Sequence, residues 1–428
     1  VNTNPSATYR MSLRAADAED TFLYWRWHDA PAEFAAAKIE TATLVQLLRR
    51  LHNALPILLP DESQDDSIRR ALTFGPFTDR QYEARLATDL TKHLLPEDLR
   101  AQLLSRSRSG TITIHITPSP RLAQVPWELL FINDRTRILE IATVVYDPPA
   151  TVVSSARTAE PPESGPLFLI DPQLPSGQTL EADGAAKFRR YLERYRDHMP
   201  PLPVSVDHAV GHTMDRVTLG RVLRTQRPSR ILYFGHVSSR PDQPGTASLH
   251  LSDTAATWGL MEPTGGETPD DPSASRPFSA LDLLQGTTDC PTSERWQAFG
   301  FPDRRPGADI WPMPPRVGMI ACEGGADYRA FETFGLVMAM VAGGAKLVTT
   351  TRWTMPTDYA FHWLHPQKTR GASPTSDLAR QVDLAHDSAY PIDHLVQWQR
   401  GQLDRWRRDG DITCSPLVWA SLTNTVVP

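Results

Sequence analysis

Two apolar runs in this sequence stop at residues that can do chemistry. ILYFG, residues 231–235, ends at His236, and GMIA, residues 318–321, ends at Cys322. An imidazole and a thiol suffice for nucleophilic acyl transfer, the thiolate attacking a carbonyl carbon while the imidazole takes and returns a proton. A free thiol ionises near pH ~8.5, and a neighbouring imidazole favours its thiolate. The tetrahedral intermediate also needs N–H donors for its oxyanion. The amides of Cys322 and Val237 are placed to supply them, and Gly324 and Gly325 let the chain turn sharply after the cysteine. A cysteine ending an apolar strand also serves as a small core residue. The pair therefore carries weight only if its two strands are neighbours.

The elements that would position the pair alternate in type. From PLFLID onward the order is strand, helix (GAAKFRRYLERYRD), strand (PVSVDHAV), helix (MDRVTLGRVLRTQ) and strand (RILYFGH). After an interruption, RVGMIACEG reads as a strand, FETFGLVMAMVAGG as a helix and AKLVTTTRW as a strand. This alternation predicts an α/β fold with a mainly parallel sheet flanked by helices. In such sheets ligands bind outside the carboxyl ends of the strands. His236 and Cys322 both stand at such ends.

Upstream, TYRMSLRAA and TFLYWRWHD alternate around a turn-like DAED and predict a β-hairpin. AAAKIETATLVQLLRRLHNAL has helical spacing. RQYEARLATDLTKHLL and PEDLRAQLLSRS read as two more helices, and TITIHITPS and RILEIATVVYD as strands. The Pro- and Ser-rich DPPATVVSSARTAEPPESGP reads as a linker. The expected organisation is an N-terminal α/β half over 1–157 and a second half over 158–428. A long insertion at about 239–315, rich in Pro, Gly, Ser and Asp, is expected to be mobile. Two polar, Trp-bearing helices and SPLVWASL make the tail.

Composition narrows the function classes. The chain has 428 residues, 40% hydrophobic and 22% charged, with a net charge of -6, as in ordinary globular proteins. No basic stretch is interleaved with aromatics, which argues against a nucleic-acid partner. Cys290, Cys322 and Cys414 are odd in number and form no CxxC pair. That argues against a disulfide framework or zinc ribbon and for a reducing compartment. No metal or other cofactor is expected. His362 and His365 stand three apart but have no companion ligand, and read as surface or packing residues. The N-terminus has no apolar core of the kind a signal peptide needs. The most apolar stretch, FGLVMAMVAGGA, is too short for a bilayer, so no membrane partner is expected and the location is read as cytoplasmic.

The order ILYFGHVSS, VGMIACEGG, then a glycine-containing helix and a strand ending in Trp353, resembles the CHAT domain family, caspase-like cysteine peptidases related to separase. RLAQVPWELLF resembles the family's Pro-Trp-Glu segment, and SPLVWASL its Pro-x-x-Trp-Ala segment. The resemblance implies a caspase-like sheet, with an N-terminal half that lacks a catalytic dyad. It implies a cysteine endopeptidase with His236 as catalytic histidine and Cys322 as nucleophile. Val237 is a departure, because the family usually has glycine there, and the valine side chain is expected to narrow the approach. Asp358 corresponds to an acidic residue that holds a basic substrate side chain in separases, or else caps a helix. Glu323 is acidic lining for substrate, or a first-turn helix residue. The implied partners are a protein substrate cut at few sites and a protein or ligand-bound activator, in bacterial defence or programmed cell death. A non-catalytic interaction scaffold of the same fold is the alternative.

Overall fold

The computed structural model describes residues 7–428 except 176, 178–179, 181, 240–244, 266–270 and 323–332. Within its helices and strands, the side chains of residues 182, 183, 322, 333 and 334 also lie outside the described set. The main elements begin with β1 (Ala7–Asp17), β2 (Thr21–Trp27), β3 (Phe34–Ile39), α1 (Thr41–His52), α2 (Arg80–Leu94), α3 (Glu97–Ser107), β4 (Gly110–Thr117) and β5 (Ala142–Tyr146). Next come β6 (Leu167–Ile170), α4 (Ala182–Leu192), α5 (Arg216–Gln226), β7 (Arg230–Ser238), β8 (Ser248–Leu249), β9 (Phe278–Ser279) and α6 (Ala280–Gln285). The last are β10 (Arg316–Cys322), α7 (Thr333–Ala342), β11 (Leu347–Thr351), α8 (Asp358–Leu364), α9 (Pro374–Asp387), α10 (Pro391–Asp409) and β12 (Leu422–Val426).

Two compact units result. One comprises Val1–Asp147, Phe361–Ala372 and Asp387–Val426; the other comprises Pro148–Ala360, Ser373–His386 and Val427–Pro428. The expected linear division at residue 157 differs from these units in the tail.

In the first unit the strand order is β3-β2-β1-β4-β5-β12. The expected hairpin forms: β1 and β2 pair antiparallel, with Leu13 opposite Trp25. Alternation in β2 buries Thr21, Leu23, Trp25 and Trp27 and exposes Phe22, Tyr24 and Arg26. β4 pairs in parallel with β1 and with β5, and β12 pairs in parallel with β5. The stretch AAAKI, expected to open a helix, is instead edge strand β3 on β2. RILEIATVVYD divides into a helical turn, Ile138–Ile141, and β5. The tail joins this unit through side chains: Arg400 Nε donates to the Leu139 carbonyl at 2.8 Å, and Gln399 Nε2 to the Trp419 carbonyl at 2.8 Å. A buried fork of Arg137 on Glu83, at 2.8 and 2.9 Å, receives Trp406 Nε1 at 3.3 Å.

The second unit holds four parallel strands in the order β6-β7-β10-β11. β7 and β10 are apolar on both faces, as a parallel sheet covered by helices requires. On one face Ile231, Tyr233, Val317, Met319 and Ala321 join a core with α5, α6 and α7. On the other, Phe234 packs on Phe188 of α4, ring centroids 5.1 Å apart. A Cβ at Gly318 would lie 2.9 Å from Val382 Cγ1, so this glycine lets α9 approach β10 closely. Arg230 of β7 pairs with buried Asp383 of α9 at 3.1 Å, and the hydroxyls of Tyr191 and Tyr195 each donate to that carboxylate at 2.6 Å. PVSVDHAV is not a ladder strand: it makes a short turn at Val206–His208 and a single bridge from Val210 to Ile170.

The insertion, expected to be mobile, is folded structure in its described residues. Leu249, Leu251, Phe278, Leu283, Ile310 and Trp311 are buried in the core of the second unit. Its centre is Arg216 of α5, fully buried between the carboxylates of Asp253 at 3.3 Å and Asp282 at 3.5 Å. The same guanidinium donates to the carbonyls of Trp258, Arg276 and Pro277 at 2.9, 3.2 and 3.0 Å. Three separated stretches of the insertion are thereby tied to one side chain.

Candidate active site

β7 and β10 run parallel in unbroken register from Arg316 opposite Arg230 to Cys322 opposite His236. Residues 236 and 322 are therefore register partners at the carboxyl ends of adjacent strands. Register partners in a parallel pair fall on the same face of the pleat, so the two positions share one face at one sheet edge. The cysteine side chain lies outside the described residues, as does Glu323. The backbone just before the cysteine is held on both sides. The Ala321 amide donates to Thr351 Oγ1 at 3.4 Å, and the Ala321 carbonyl accepts from the Met355 amide at 2.9 Å.

The end of β7 is fastened by Tyr233. Its hydroxyl lies 2.6 Å from the His236 carbonyl and 3.0 Å from the His250 carbonyl, and donates its one proton between them. The His250 amide donates to the His236 carbonyl at 3.1 Å. Gly235 makes room for this clamp: a Cβ there would lie 2.9 Å from the Tyr233 hydroxyl. The His236 ring is half-buried, with the His250 ring edge-on at a centroid distance of 6.3 Å. Burial lowers the pKa of His236, and the charge of Asp171 opposes that shift. The lowered pKa keeps the ring neutral at pH 7 and able to accept a proton. Burial pushes His250 down to about 3, and its Nε2 lies 2.7 Å from Ser238 Oγ.

Asp171 follows β6 directly. It is 2% exposed and sits at φ 49, in the left-handed region. That conformation is uncommon for a residue with a Cβ, and aspartate and asparagine tolerate it best. Its amide donates to the Phe234 carbonyl at 2.6 Å, and its carboxylate accepts from the Leu180 amide at 2.9 Å.

The remaining expected residues fall elsewhere. Val237 is buried, and its side chain belongs to the core with Tyr233, Leu249 and Phe278. Alternation puts it on the face opposite His236, so it does not narrow the approach on the histidine side. The half-buried Asp358 carboxylate accepts from the Thr375 amide at 2.8 Å and the Ser376 amide at 3.3 Å. It therefore caps α9, while its own helix is capped by Thr357 Oγ1, which accepts from the Ala360 amide at 3.2 Å. Burial raises the Asp358 pKa, and the bonds from Thr375 and Ser376 oppose that. Cys290 and Cys414 are buried; burial pushes the Cys290 thiol up to about 11 and also raises Cys414. Both are poor nucleophiles at neutral pH. His365 Nε2 donates to the Leu72 carbonyl at 2.6 Å, a packing role.

The motif order, the parallel sheet and the paired strand ends agree with a match of the CHAT domain family model to residues 84–421. This chain belongs to the CHAT family. Among solved structures it is similar to Saccharomyces cerevisiae separase in the crystal structure of the separase–securin complex. The identity is 9% and the TM-score 0.44, covering 98% of this chain and 30% of that one. The CHAT chain thus spans about 30% of the separase chain, and a likeness at that score carries no argument of its own. No curated protein matches it. Within the CHAT fold the sequence reading missed three residues around the histidine: Asp171, Tyr233 and His250. Asp171 had a legible signal, since PLFLID also ends an apolar strand on a chemically able residue. The other two had none, because a clamp on a carbonyl is visible only once the chain has folded.

Proposed function

We propose that this CHAT protein is a cysteine endopeptidase that cuts a partner protein at few sites, with His236 and Cys322 as its dyad. The observation that supports this reading is the register pairing of positions 236 and 322 at one strand edge. His236 takes the thiol proton as Cys322 attacks the scissile carbonyl, then delivers it to the leaving amine. The amides of Cys322 and Val237 stabilise the oxyanion. Water, activated by the same imidazole, releases the acyl group. Glu323 lines the substrate site. Asp358 contributes to basic specificity only if its carboxylate turns from the α9 amides toward the substrate.

An activator gates the enzyme, which serves in bacterial defence or programmed cell death. The N-terminal part acts as scaffold and partner surface; the outer face of β1, β2 and β3 exposes Phe22, Tyr24 and Phe34 beside Arg14 and Arg26. Self-cleavage at Arg276 is disfavoured, because that guanidinium is engaged with the carbonyls of Met261 and Ala255 at 2.6 and 2.7 Å.

The test is labelling by a peptidyl acyloxymethyl ketone, with and without cell extract as a source of activator. Labelling lost in both Cys322→Ala and His236→Ala is the expected result. Equal labelling in Cys322→Ala refutes the dyad. No labelling of the parent under either condition favours the scaffold.

A further inference from the structure

We propose that the outer face of β1–β4 is a binding platform for single-stranded nucleic acid. The inference concerns the N-terminal partner surface and does not depend on His236 and Cys322. In the order β3-β2-β1-β4 the pleat sends alternate side chains away from the core. Tyr24 of β2 stands opposite Arg14 of β1, while Phe22 stands opposite Lys38 of β3 and Arg26 opposite Phe34. Three cross-strand rows thus each hold one aromatic ring and one cation, with Cβ atoms about 5 Å apart. Phe22, Tyr24 and Phe34 are 45, 38 and 67% exposed, area that the fold itself leaves uncovered. At the outward positions, even numbers in β1 to β3 and odd numbers in β4, no aspartate or glutamate occurs.

Bases stack on any aromatic face, and the phosphates that join them need cations alongside. The rings of Tyr24 and Phe34, centroids 5.9 Å apart and tilted by 35°, form one continuous surface. Three strand spacings make the platform about 14 Å wide. A four-stranded sheet with exposed aromatics takes two or three unpaired bases in this way. Arg14 and Arg26 carry the phosphate contacts. Lys38 also pairs with Asp20 at 3.1 Å, and Arg10 lies 3.3 Å from His115 Nδ1, which bonds Asp147 at 2.7 Å. A duplex keeps its base faces inside its own stack. An acidic peptide is held through a groove or a sheet edge, and the open face of a sheet is neither. No run of the sequence interleaves cations with aromatics, because the partners in each row come from different strands.

The test is fluorescence anisotropy of the full chain with fluorescein-labelled dodecamers of dT and of U, a duplex of the same length, and a peptide rich in Glu and Tyr. At least one single strand is expected to bind, and which one shows whether the natural source is DNA or RNA. Raising salt from about 50 to about 200 mM should weaken binding about 7-fold, for two phosphate contacts with a slope of about -0.7 each. Arg14→Gln combined with Arg26→Gln should remove most of that salt dependence. Tyr24→Thr and Phe34→Thr keep strand propensity and should each weaken binding about 5-fold or more. Phe34→Tyr keeps a stacking ring and should bind as the parent does. Urea midpoints check that the variants are folded, and the preference of the parent for single strand over duplex decides the matter without them. Binding of neither single strand at about 100 µM protein, the weak end of non-specific affinity, overturns the inference. Equal binding of the duplex does so too, as does single-strand binding that the ring substitutions in folded protein leave unchanged. Binding of the peptide in place of the oligonucleotides overturns it in favour of an acidic protein partner. None of these readouts involves labelling by the ketone, so the dyad can fail without the platform failing.

Discussion

Replacing Arg216 with methionine removes the charge at the centre of the insertion while keeping much of the side chain's length and volume. The guanidinium is fully buried and answers Asp253 and Asp282 at 3.3 and 3.5 Å. Its loss leaves two buried carboxylates without that counter-charge. Breaking one partner out of a buried ion pair costs roughly 3–5 kcal/mol. Three carbonyls, of Trp258, Arg276 and Pro277, lose a charged donor as well. Such bonds are worth about 1.5–3 kcal/mol each, which puts the expected loss at the upper end, about 5 kcal/mol. Domain stabilities are only about 5–15 kcal/mol, so the variant should stand close to unfolding. The assay is urea denaturation followed by tryptophan fluorescence, since Trp311 donates from Nε1 to the Arg216 carbonyl at 2.8 Å and reports on this region. With two compact units, separate transitions are expected and the one carrying Trp311 is read. Adding Asp253→Asn and Asp282→Asn should recover about half of the loss, because the stranded charges are gone. A loss under about 1 kcal/mol in Arg216→Met, set against the range for buried pairs, would falsify the account of the insertion as folded around this residue.

Tyr233→Phe removes the clamp on the His236 and His250 carbonyls without opening a cavity. It should cost about 1–2 kcal/mol by urea denaturation, and an unchanged midpoint would show that the clamp carries no stability. Acid should destabilise the second unit through His250 and His386, both buried, both pushed down to about 3 by burial and both neutral in the fold. Their folded pKa lies below the ordinary value of 6.5, so the stability they contribute is complete above that pH and is lost as pH falls from there toward 3. Each adds a slope of about 1.4 kcal/mol per pH unit. Urea midpoints measured between pH 7.5 and 5 should fall, less steeply in His386→Gln, and a flat series refutes the argument.

Much of the parallel sheet was legible because its strands are short apolar runs between amphipathic helices. The hairpin was legible because TFLYWRW alternates strictly. AAAKI was misread because three alanines favour helix, and an edge strand with one partner has no strong pattern of its own. PVSVDHAV alternates, yet the chain there makes only the bridge from Val210 to Ile170. The return of the tail to the first unit was invisible, because the bonds of Arg400 and Gln399 join residues far apart in sequence and leave no local trace. For the site, the two strand ends were legible, but not that their strands are neighbours in register. The apolar runs stop at His236 and Cys322, but nothing local says that those two residues stand opposite each other. The bonds of Asp358 were not legible for a simple reason: it lies beside the start of a helix that begins 16 residues later, and its carboxylate caps those amides.

The discontinuous first unit has a consequence for how the protein is made. Its β1 to β5 leave the ribosome early, yet their sheet is completed by β12 and their buried Arg137–Glu83 fork by Trp406. Apart from Val427 and Pro428, the second unit has emerged in full once His386 has. Domains usually fold in order from the N-terminus during synthesis; here the later-starting unit is ready first. The early strands must wait, with the flank of β5 unpaired on the side that β12 will occupy, until β12 itself has been made. Protection of that flank during synthesis is therefore a condition for this chain to reach its fold.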